Sequence, residues 1–165
     1  MPVTEAMTTP LLATLDNAAD LIAATSEFQA FTGTANAAAA KLRVAFFEIN
    51  DSEVTLPLAM FSLGPGFSNP SEAQGDGFSF SPHWSGSLLL RFMASVTPAH
   101  SADPQNANIK FVADCEGIIA GMKAITAVGT NLAVMEYSSL SEIMRTRLSE
   151  GDSAEAFFWD WGLTV

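Results

Sequence analysis

The sequence predicts an α+β fold in a single domain, residues 1–165: a mainly antiparallel sheet packed by an N-terminal helix and a long central helix. Three observations carry that expectation. Residues 86–96, GSLLLRFMASV, alternate with period two, placing Leu88, Leu90, Phe92, Ala94 and Val96 on one face. Residues 155–165, EAFFWDWGLTV, alternate as strictly, with Phe157, Trp159, Trp161, Leu163 and Val165 on one row. Apolar residues recur at helical spacing near the start and again over 104–127, yet helices and strands do not alternate regularly. That order fits α+β better than a doubly wound sheet.

The elements follow in order. Leu11, Leu12, Leu15, Ala18, Ala19 and Ile22 form one apolar stripe, so a helix is expected over about 10–24. Thr9 can cap it, and Pro10 suits its first position, where no amide partner is lost. Ser26 is expected to cap a short second helix, SEFQAFTG, that Gly33 ends. Phe28 and Phe31 then share one side. TANAAAA has high helix propensity but little length. LRVAFFEI (42–49) reads as a strand apolar on both faces, and VTLPLAMFSL (54–63) as a second. Pro57 removes a ladder donor, which suits an edge strand or an irregular start. Asp51 and Ser52 offer a hairpin turn between the two.

Residues 64–84, GPGFSNPSEAQGDGFSFSPHW, hold four glycines, three prolines and no Lys or Arg. Loops longer than about 12–15 residues tend to be functional or mobile. Two readings stay open: an excursion whose aromatics tuck onto the core, or a loop that orders against a partner subunit. FSFSP is a candidate short strand within it. Asp103 followed by Pro104 reads as a cap and a first-turn proline. The helix over about 104–127 has Phe111, Cys115, Ile118, Met122 and Ile125 at helical spacing, with Gly129 as its stop. Gly117 and Gly121 form a GxxxG pair, which in such a helix permits close approach of a neighbouring element. NLAVMEY (131–137) reads as a strand. For 139–149, Ser139 and Glu142 resemble a capping box before a short helix; an excursion between strands is the alternative.

Composition narrows the function. The chain has 165 residues, 48% hydrophobic and 15% charged, so it is not a disordered chain. One cysteine excludes a disulfide scaffold, and Cys115 is expected to be a buried, inert thiol. Seven basic residues face 18 acidic ones, for a net charge of −11. Lys41, Arg43, Arg91 and Lys110 are scattered, as is Lys123, and only Arg145 and Arg147 pair up. Specific binding of DNA or of anionic membranes needs basic groups that converge. The acidity then means either solubility or a surface that must pass a polyanion. No run of about 18 apolar residues is present, so no bilayer span is expected. The start, MPVTEAMTTPLL, has no basic n-region, and with the lone cysteine this suggests cytoplasmic synthesis.

Chemistry-bearing motifs are sparse. His83 and His100 stand in no HxH, HExxH or HxxxH spacing, and no metal site is expected. GxSxG, GxGxxG and P-loop patterns do not occur. Asp114 and Glu116 are expected on the solvent side of the long helix, and Asp160 toward solvent or a subunit interface. No catalytic residue and no cofactor is assigned. What stands out is apolar: seven Met, 12 Phe and three Trp. A sheet with helices on one side leaves its other face to be covered, and a second subunit is a natural cover.

TTPLLATLDNAADLI, LRVAFFEI, SGSLLLRFMA, the long helix after a loop and the closing FFWDWGLTV together resemble the bacteriophage and prophage tail terminator or tail-completion proteins. The resemblance runs over most of the chain and rests on element order rather than on an invariant motif. It implies a small α+β virion subunit without catalysis. Such subunits form rings, often of six, at the head-proximal end of the tail. The ring would stop tube polymerisation and meet the head connector. DNA would pass through its centre without specific binding. The protein would then assemble in the host cytoplasm and reside in the virion tail, with tail-tube and head-connector proteins as partners. Under this reading Phe67, Phe78 and Trp84 of the long loop, with Arg145 and Arg147 of the 139–153 excursion, are the candidate interface residues, since aromatics and Arg dominate interfaces. The competing readings are a small dimeric binding or regulatory domain without catalysis, and an enzyme built from dispersed carboxylates with His83 or His100.

Overall fold

A computed structural model describes residues 10–47, 55–64, 73–74, 77–78, 87–96, 102–127, 136–139, 144–147 and 155–164. The described elements are helices α1 (Pro10–Ala23), α2 (Ser26–Thr32), α3 (Ala37–Lys41) and α4 (Pro104–Ala127). The strands are β1 (Val44–Phe46), β2 (Leu58–Leu63), β3 (Ala73–Gln74), β4 (Gly77–Phe78), β5 (Ser87–Ser95), β6 (Glu136–Ser139), β7 (Met144–Arg147) and β8 (Glu155–Thr164). The fold is α+β, as the sequence predicts, and its main sheet is mixed, with one parallel pair, β1–β2, beside antiparallel ones.

The main sheet runs β1-β2-β5-β8-β6, and β7 also pairs with β8. β6 and β7 take successive halves of one side of β8: Tyr137 lies opposite Leu163, and Arg145 opposite Phe157. β5 and β8 pair along their whole lengths, which sets Trp159 opposite Phe92 and Trp161 opposite Leu90. Both tryptophans therefore hold ladder positions level with the buried row of β5. Arg91 lies opposite Asp160 in the same ladder.

Phe28, Phe61 and Phe92 are the largest fully buried side chains, joined by Leu15, Ile22, Leu88, Leu90, Ile118 and Met122. Burying each of them stabilises the fold by about 1.5–3 kcal/mol relative to leaving it in water. They show the arrangement: α1, α2 and α4 cover one face of β2 and β5. Of the alternating row of β5, Leu88, Leu90 and Phe92 are buried, while Ala94 and Val96 are only partly buried against the core. The other row is partly covered as well, with Leu58 and Met93 also buried.

Three expectations need correction, and the alternatives left open at Pro57 resolve to one. β1 and β2 are parallel, so Asp51 and Ser52 do not close a hairpin between them. A tight turn joins only antiparallel neighbours, whereas a parallel pair needs the chain to cross back before it re-enters. β1 is shorter than its apolar run: Leu42 still has helical dihedrals, and Phe47 takes φ 61°, a left-handed conformation rare for a bulky residue. β2 begins only after Pro57 and lies inside the sheet, so the irregular start is the alternative that holds. The ambiguous 139–149 stretch forms the ladder strand β7, not a helix, over 144–147. Gly129 and residues 131–135 lie outside the described residues.

Candidate functional site

Two places in the described structure offer something to bind: a cleft between α2 and α4, and the edges of the main sheet. The cleft begins with the junction of α1 and α2. Thr25, not Ser26, caps α2: the Phe28 amide donates to Thr25 Oγ1 at 3.2 Å. The same hydroxyl donates to the Ile22 carbonyl at 2.7 Å, so one buried group ends α1 and opens α2. Gln29 Nε2 adds a bond to the Ala23 carbonyl at 3.0 Å. Gly33 ends α2 at φ 66°, as its position predicts.

This junction sits against the glycine pair of α4. A Cβ placed on Gly121 would come within 3.2 Å of Thr25 Cβ and Cγ2 and within 2.7 Å of Glu27 Oε2. A Cβ on Gly117 would meet Glu27 Cγ at 3.6 Å, an ordinary contact. The GxxxG pair thus admits the start of α2, and Gly121 is the tighter of the two. Phe31 then ties the layers together. Its ring centroid lies 6.2 Å from Phe28, 6.2 Å from Phe92 and 6.3 Å from Phe111.

Beside Phe31 the two helices leave a cleft of about 300 Å³, lined by Glu27, Ala30, Phe31, Lys110, Ala113, Asp114 and Gly117. Lys110 and Asp114 are ion-paired across one helical turn at 2.5 Å. Asp114 is therefore a cleft residue rather than a purely solvated one, while Glu116 is exposed as expected. Cys115 next to it is fully buried; burial pushes its thiol well up, and the neighbouring Asp114 and Glu116 charges add to the shift. It packs, and is held protonated. Sequence reasoning overlooked Glu27, Phe31 and Lys110. The glycine spacing with the Lys110–Asp114 pair was the available signal, because a notch on a helix implies something seated in it.

The sheet edges are built differently. α3 is capped by Asn36, whose Oδ1 accepts from the Ala39 amide at 2.9 Å. α3 is tied to α1 by Lys41, whose ammonium meets Asp16 and Asp20 at 2.7 Å each. The chain then enters β1. Among the described residues β1 pairs with β2 alone. Val44, Ala45 and Phe46 are only half-buried, and the flanking Leu42 and Phe47 are 66% and 42% exposed. The opposite edge of the sheet is formed by β6 and β7.

Of the candidate interface residues, Phe67 and Trp84 lie outside the described residues, as do His83 and His100. Phe78 falls in β4, opposite Ala73, in a two-stranded sheet separate from the main one. Arg145 and Arg147 fall in β7, opposite Phe157 and Glu155. The long loop thus contains a two-stranded ribbon, and of FSFSP only Phe78 is in a described strand. Among the described residues no group of three His, Cys, Asp or Glu is placed to hold a metal, and no helix is long and apolar enough to cross a membrane. No protein-family model matches the chain, and no curated protein matches it in sequence.

Proposed function

We propose that the chain is a phage virion structural protein of the tail terminator or tail-completion type, acting by assembly into a ring. The observation that carries this reading is a sheet with two unlike edges, β1 on one side and β6 with β7 on the other. A contact between unlike surfaces repeats from copy to copy, and closes into a ring when its rotation allows. The net charge of −11 supports the same reading, since an acidic lumen lets DNA slide without adhering. The ring stops tube growth and presents a surface to the head connector.

Light scattering over a concentration series, with and without tail tubes, tests this. A mass near six subunits, or capture of the protein at one end of the tubes, is the expected result. A single-subunit mass with no binding to tubes overturns it. The α2–α4 cleft favours one other reading, a small binding domain. That reading calls for a fixed dimer and a saturable ligand in the same series.

A further inference from the structure

We draw no further inference here: the strongest candidate, the apolar sheet edge at β1 flanked by the exposed Leu42 and Phe47, carries none, because nothing in the structure shows what covers it.

Discussion

The helix-covered side of the sheet and its β1 edge treat similar residues in opposite ways. Under the helices, Phe28, Phe61 and Phe92 are wholly buried, and the polar groups among them, Thr25 and Thr32, are hydrogen-bonded. At the edge, β1 is as apolar in sequence, yet none of its residues is fully buried and its outward backbone groups have no described partner. One region holds the chain together and the other contributes little burial, so substitutions in the two should differ in their cost to folding.

The largest expected effect lies under the helices. Phe92→Ala removes a ring that packs edge-on against Phe31 and should cost about 3–5 kcal/mol in chemical denaturation. A much smaller loss would mean that the covered face is not the centre of stability. The glycine pair sharpens the same point within one helix. Gly121→Val, forced against Thr25, should cost about 1–3 kcal/mol. Gly117→Ala meets only ordinary contact, and should gain up to about 1 kcal/mol from helix propensity. Equal effects of the two would contradict the packing of α2 on α4.

The tie between α1 and α3 responds to pH. Burial pulls the Lys41 ammonium down, but hydrogen bonds to Asp16 and Asp20 and their charges outweigh it, holding Lys41 above its ordinary 10.5. The folded chain therefore keeps this proton longer than the unfolded chain. The contribution is full below pH 10.5 and disappears as the pH climbs past the raised value. Stability measured between neutral and strongly alkaline pH should fall less steeply in Lys41→Gln than in the unaltered protein; equal slopes would remove this link. The smallest effect on stability belongs to the edge. Leu42→Ser, at a side chain 66% exposed, should change folding by no more than about 0.5 kcal/mol. A large loss of stability would mean that Leu42 belongs to the core.

The elements that could be read from sequence were those whose pattern depends on one neighbour. The strict alternation of 86–96 and 155–164 required a half-covered strand, and both strands formed with little change of boundary. Asp103, Pro104 and the spacing from Phe111 to Met122 fixed α4, and the Asn106 amide donates to Asp103 Oδ1 at 3.3 Å. What failed depended on distant partners. LRVAFFEI fits either ladder direction, because a strand apolar on both faces carries no mark of its neighbour's sense. Residues 139–149 read either as a short helix capped at Ser139 or as an excursion between strands until β8 supplies a ladder for 144–147. The cleft was hidden for the same reason: Glu27 and Lys110 are distant in sequence, and only the Gly117–Gly121 notch hinted that they meet.

The position of β8 has a consequence for the order in which the molecule is made. β8 comes after every other described element in the chain, yet lies between β5 on one side and β6 and β7 on the other. Until a ribosome has delivered it, β6 and β7 have no ladder to join and β5 keeps an open flank. The helices and the first strands can gather early, but the sheet stays in two parts. Its second outer edge does not exist before that strand arrives, so the chain cannot present both edges of its sheet until β8 has been made.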